Sequence, residues 1–148
     1  MTTNRGYFGI GIYHPKRETN VGTLWRSAHI FGASFLFTIG RRYSHQCSDT
    51  LKVPHRVPLF SYESFSAFLA SLPNHGRLVA VELDDHAVPA SDFVHPQQAV
   101  YILGAEDNGL PPAILSKCCS IIQLPGDFCL NVAVAGSIVM YDRMNKCQ

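Results

Sequence analysis

No CxxC pair occurs anywhere in this chain, and its five cysteines (Cys47, Cys118, Cys119, Cys129 and Cys147) are an odd number. That excludes a zinc ribbon and disfavours a disulfide framework, so a reduced, cytoplasmic protein is expected. Long apolar runs are missing too. The stretch from Val132 to Tyr141 covers only about half of what a bilayer crossing needs. The opening MTTNRGYF has neither a basic nor an apolar signal region, so no signal peptide is expected. There is no GxGxxG dinucleotide signature, no internal repeat and no low-complexity tract. What is present is a composition 47% hydrophobic over 148 residues, enough for one domain with a true core and too little for two.

Charge is sparse at 16%, and its sum of +1 conceals a segregation. Residues 1–60 hold eight Lys/Arg against two acids, a surplus of six positive charges. Residues 61–148 hold four against nine, a surplus of five negative ones. Unless the halves interleave in space, one surface faces a polyanion and the other does not.

YFGIGIY (Tyr7–Tyr13) reads as a buried first strand. Thr19 or Asn20 is placed to cap a helix over about 21–31, where Val21, Leu24, Trp25, Ala28 and Phe31 make an inward stripe. ASFLFTI (33–39), RLVAVEL (77–83), AVYIL (99–103) and 120–124 read as further strands, of the continuous apolar kind buried on both faces. Residues 41–58 read as a long polar loop. Residues 64–72 form an amphipathic helix stopped by Pro73, 111–118 a short helix opened by proline, and a last helix starts near Asn131. Strands alternating with helices predict an α/β domain with a mostly parallel sheet and helices on both faces.

Ligands of such sheets gather at the carboxyl ends of strands, and three loops there carry unusual residues. After the first strand, Gly22, Arg26 and His29 form a second helical stripe. Arg26 there is either a clamp for a phosphate or an oxygen, or an ordinary surface arginine. After the strand ending at Leu103, Gly104 and Gly109 bracket Glu106 and Asp107. This has the outline of a phosphate loop, but Leu110 replaces the lysine and two acids would repel phosphate, so a P-loop is excluded. The third is LPGDFCLNVAVAG, in which Asn131 can cap a helix with no charged face. One side would pack on the sheet, and the other, through Ala133, Gly136 and Ser137, on a second copy of the chain, unless the helix lies deep in the core of a single chain.

Taken together, Asn20-Val-Gly-Thr-Leu-Trp-Arg26, Ile102-Leu-Gly104-Ala-Glu106-Asp-Asn-Gly109-Leu and Leu124-Pro125 with Cys129-Leu130-Asn131 resemble the three signature motifs of the SpoU-type RNA ribose 2′-O-methyltransferases of the SPOUT superfamily. Any one motif is weak; three in order along nearly the whole chain are specific. The resemblance implies a SPOUT fold with a deep C-terminal trefoil knot, in one catalytic domain (1–148) without an accessory RNA-binding domain. It implies S-adenosylmethionine bound in the knot by Glu82, Leu83, Gly104, Gly109, Leu124, Cys129 and Leu130, with no metal. It implies a homodimer through the last helix, which would account for that helix's missing polar face. Arg26 is the residue it assigns to the reacting hydroxyl, as a base or as an orienting group, with Asn20, Glu106 and Asn131 as the other catalytic positions. Cys129 departs from the serine usual in the family, and the loop before Asn131 is short.

The basic loop 40–56 offers Arg41, Arg42, Lys52 and Arg56 for RNA phosphates. Small members of the family mostly modify transfer RNA, so tRNA is the expected substrate over ribosomal RNA. Two rival readings are a catalytically silent RNA-binding dimer and a SPOUT enzyme that methylates a base.

Overall fold

The YFGIGIY strand explains the centre of the molecule. Its isoleucines, Ile10 and Ile12, are buried on one face, while a Cβ on Gly9 or Gly11 would collide with the Phe35 or Phe37 ring at 2.2–2.4 Å. The glycines thus make room for the phenylalanines of the neighbouring strand. The computed structural model describes residues 6–40, 56–72, 76–105, 109–126 and 129–147. In chain order they form β1 (Tyr7–Tyr13), α1 (Glu18–Phe31), β2 (Phe35–Ile39), β3 (Leu59–Tyr62), α2 (Phe65–Ser71), β4 (Arg77–Val81), β5 (Val88–Pro89), a 3-10 turn (Ala90–Asp92), β6 (Gln98–Gly104), α3 (Pro112–Leu115), β7 (Ser120–Gln123) and α4 (Val132–Lys146).

The seven strands make one sheet in the order β3-β2-β1-β6-β4-β7-β5, and every pairing between them is parallel. Strand alternation sorts the core into two layers. Ile10, Ile12, Val79, Tyr101 and Leu103 meet α1 and α4 on one face; Phe37, Ile39, Ala80, Val100 and Ile102 meet Phe68 of α2 and Ile114 of α3 on the other. Helices therefore cover both faces, as the apolar strands require.

Several elements differ from expectation. α1 starts at Glu18, behind an extended Arg17 that makes no side-chain cap, so neither Thr19 nor Asn20 caps it. The acid in the first turn supports the positive helix end instead, and Asn20 is buried for another purpose. The helix expected over 111–118 is a single turn, Pro112–Leu115. β3 and β5 lie in stretches without a strand pattern. Ser64 does cap α2, accepting the Ala67 N–H at 3.1 Å, whereas Pro73 lies outside the described residues.

α4 departs most. Its small residues face inward: Ala133 is buried, a Cβ on Gly136 would stand 2.5 Å from Leu24 Cδ1, and Ser137 Oγ donates to Ser27 Oγ at 2.8 Å. They set the close approach of α4 to α1. On this single chain the outer stripe of the helix stays open. Val134, Ile138, Tyr141 and Met144 are 40–53% exposed.

Candidate active site

β6, β4 and β7 are neighbours and parallel, so their carboxyl ends open side by side. Beyond them lies a cleft of about 510 Å³, walled by the segments leaving β4 (Val81–Asp84), β6 (Leu103–Ala105, then Gly109 and Leu110) and β7 (Leu124, Pro125), and closed by Cys129, Leu130 and the start of α4. All seven residues expected to bind cofactor line it: Glu82, Leu83, Gly104, Gly109, Leu124, Cys129 and Leu130.

Glu82 contributes more than backbone. Its Oε2 accepts the Leu110 N–H at 2.8 Å and its Oε1 the Leu83 N–H at 3.1 Å, so one carboxylate ties the β4 end to the β6 loop. The loop itself is pinched shut. Gly109 N–H donates to the Ala105 carbonyl at 3.2 Å, and a Cβ on Gly104 would lie 2.4 Å from the Gly109 carbonyl carbon. Gly109 has φ +61°, and a side chain there would also strike the Glu82 carboxylate, so glycine is required twice over. Asp84, with a side chain 26% exposed, adds a carboxylate to the cleft wall.

Asn131 stands between the cleft residues Leu130 and Val132. As expected, it caps α4: its Oδ1 accepts the N–H groups of Ala133 at 2.9 Å and Val134 at 3.2 Å. The same amide's Nδ2 donates to Asn20 Oδ1 at 3.1 Å. Two of the four expected catalytic residues, 111 positions apart, are thereby joined. Asn20 is 7% exposed and, among the described residues, its own Nδ2 is buried without a hydrogen-bond partner. A buried donor left open costs about 1–3 kcal/mol, so this amide is available to a further acceptor. Arg26 is exposed on α1, roughly 1.7 turns beyond Asn20. Glu106 lies outside the described residues, as do Arg41, Arg42 and Lys52 of the basic loop; Arg56 is exposed.

Sequence reasoning missed Asp84 and the Glu82 side chain. The signal was present in RLVAVELDD, where acids follow an apolar strand at the end where ligands collect.

A parallel sheet with a cleft at the carboxyl ends of its central strands defines an α/β domain with room for a small organic ligand. The sequence profile of the SpoU rRNA Methylase family matches residues 8–141, and the chain belongs to that family. It is 27% identical over 150 residues to a tRNA (cytidine(34)-2′-O)-methyltransferase of Ancylobacter novellus, covering 93% of this chain and 91% of that one. It is 26% identical over 144 residues to a tRNA/rRNA methyltransferase described as uncharacterized from Archaeoglobus fulgidus, covering 92% of this chain but 63% of that protein's length. The fold matches a structure described as giving insights into the 2-OH methylation of C/U34 on tRNA (TM-score 0.81, 24% identity, 96% of this chain and 97% of that one). It also matches an AdoMet-bound rRNA methyltransferase of Sinorhizobium meliloti (TM-score 0.83, 19% identity, 97% of this chain and 60% of that one).

Proposed function

We propose that this protein is an S-adenosylmethionine-dependent RNA methyltransferase acting on a ribose 2′-hydroxyl, with transfer RNA as its substrate class. The observation that carries the reading is the convergence of the second and third motifs on one cleft, with Asn20 of the first motif tied to its edge through Asn131. Family membership and the tRNA-modifying relative from Ancylobacter novellus support the reaction class and the substrate.

The cleft suits the cofactor. Its volume falls in the range of small-molecule sites. Leu83, Leu103, Leu110 and Leu124 offer apolar walls for a heteroaromatic base, while the strand ends offer backbone donors and acceptors. When bound, S-adenosylmethionine supplies an electrophilic methyl group on sulfur. The 2′-hydroxyl is a weak nucleophile, so residues of the chain must orient it and ease its proton away. Arg26 is the residue we place at that oxygen. A guanidinium gives up a proton too reluctantly to be a good base, which favours orientation and charge stabilisation as its part. Asn20 supplies a neutral donor, and Asn131 fixes its direction. The C-terminal knot belongs to the same proposal.

We place a homodimer contact on α4. The stripe Val134, Ile138, Tyr141 and Met144 is apolar and exposed, and a hollow of about 270 Å³ lined by Thr23, Ala133, Val134, Ser137, Ile138 and Tyr141 runs along it. A second copy turning the same stripe inward covers both.

Incubation with labelled S-adenosylmethionine and total RNA, followed by size separation and mass spectrometry of the nucleosides, tests the reaction. A 2′-O-methylnucleoside in the tRNA fraction is expected. A methylated base, or cofactor and RNA binding without label transfer, would replace the reading by one of its rivals.

A further inference from the structure

His14 stands just past the carboxyl end of β1 and, among the described residues, is the non-glycine residue with positive φ (52°). Side chains rarely adopt that left-handed backbone, and such outliers persist where their surroundings hold them for a use. Here the surroundings are specific. The His14 N–H donates to the Ile39 carbonyl at 2.8 Å. Its ring packs on Tyr13 with centroids 4.3 Å apart and planes at 60°. It also lies over Gly40, where an added Cβ would come within 2.6–2.9 Å of three ring atoms. Gly40 itself has φ +88°, so backbone and space both reserve that position for glycine. His14 nonetheless stays exposed.

Its location gives the ring a purpose. Tyr13 pairs with Gly104 on one side and Ile39 on the other. His14 therefore tops the ridge between the cleft wall at Gly104 and Gly40. The exposed cations Lys16 and Arg17 follow it in sequence. Unpaired bases are recognised by stacking on aromatic rings, while neighbouring cations take the phosphates. A ring fixed by its backbone and by an aromatic neighbour loses little freedom on accepting a base. Resting on the methyltransferase reading, we infer that His14, backed by Tyr13, is a stacking platform for an unpaired nucleobase of the RNA beside the methylated ribose, and thus a substrate-positioning residue.

Two variants separate ring from backbone. His14→Asn keeps the left-handed backbone, which Asn enters readily, and removes the ring. His14→Phe keeps an aromatic ring and removes both nitrogens. With total RNA and labelled S-adenosylmethionine, His14→Asn should raise KM for RNA about ten-fold, the scale of one base–aromatic stack. Its kcat, its cofactor affinity by calorimetry and its melting temperature should stay near those of the parent. His14→Phe should retain most of the parent's RNA affinity. An unchanged KM in His14→Asn, an equal loss in His14→Phe, or a lowered melting temperature in His14→Asn would overturn the assignment. If the parent labels no RNA, the methyltransferase reading fails; filter retention of the same RNA by parent and His14→Asn then decides on the platform alone.

Discussion

Asn131 performs two tasks with one amide: its oxygen caps α4 and its nitrogen holds Asn20. Two substitutions separate them. Asn131→Asp keeps a good cap at a positive helix end but offers no donor to Asn20 Oδ1. Its melting temperature should match the parent's, while methyl transfer in single-turnover assays falls at least about ten-fold, since about 1.4 kcal/mol is a tenfold change in rate. Asn131→Ala loses both functions, and should cost about 1 kcal/mol of stability as well. Equal activity in the Asp variant would show that the Asn20 contact is dispensable. Arg26→Ala addresses the proposed reacting oxygen. The residue is exposed and absent from the cleft wall, so calorimetric affinity for S-adenosylmethionine should survive while turnover falls by at least about a hundred-fold. At this scale the cap at Asn131 was legible, because loop punctuation runs straight into an uncharged helix. The Glu82 clamp was not, because its partner Leu110 lies 28 residues away.

The approach of α4 to α1 decides which elements tolerate change. The missing polar stripe of α4 points to contacts on two sides, and the inner one is drawn tight by Gly136. Alanine there gains about 1 kcal/mol of helix propensity over glycine. That gain is opposed by a Cβ placed 2.5 Å from the Cδ1 of Leu24, a residue with no exposed surface. Leucine at 136 must also displace Ile10 and Leu103, whose Cδ1 atoms lie 3.4 and 3.6 Å from that Cβ. Overpacking costs about 1–3 kcal/mol and sometimes more, so Gly136→Leu should lower the melting temperature by several degrees or prevent folding, checked by thermal denaturation. A stable Gly136→Leu that merely dissociates would return this face to the interface. Elements with a clear period were readable from the sequence: the isoleucine–glycine alternation of β1, the inward stripe of α1 and the apolar runs of β2, β4 and β6. β3 and β5, at four and two residues, are too short to carry a period and exist because the sheet edge accepts them. The inward turn of the α4 glycine could not be read, because periodicity assigns a face to a helix without saying which neighbour meets it.

For the molecule as a whole, the cleft was legible because parallel strands place their exits on one edge, so the loops after β6 and β7 could be brought together before any contact was known; the segment after β1, expected with them, is tied to that edge through the Asn20–Asn131 hydrogen bond. The opposite edge was not. There Tyr7, His95, Pro96, Gln97, Tyr101, Asp142, Arg143 and Lys146 form a polar network around the buried His95, Tyr101 and Arg143 that fastens the end of α4 to the amino ends of β1 and β6. No sequence spacing links residues so far apart. Its centre makes a prediction about acid. The His95 side chain has no exposed surface; Nδ1 lies 2.7 Å from Tyr101 Oη and Nε2 2.7 Å from Asp142 Oδ2. Arg143 Nη1 donates to Tyr101 Oη at 3.1 Å. A neutral imidazole satisfies every member: Nε2–H donates to the carboxylate and Nδ1 accepts the Tyr101 hydroxyl proton. A second proton would set two donors against each other. Burial pushes the His95 pKa below its ordinary 6.5, outweighing the attraction of Asp142. Burial alone would raise the Asp142 pKa, but hydrogen bonds from His95 and Lys146 bring it below 3.8. Both shifts mean that the unfolded chain binds protons before the folded one, so stability falls as pH falls. The loss from His95 begins as pH drops through 6.5 and continues down to its lower folded value; that from Asp142 follows below 3.8. The melting temperature should therefore be lower at about pH 5.5 than at about pH 7.5. The chain has six other histidines, so the comparison that isolates the network is His95→Gln, whose amide can donate to Asp142 without gaining a proton. The pH-dependent drop should shrink in that variant, and an undiminished drop would place the acid sensitivity elsewhere.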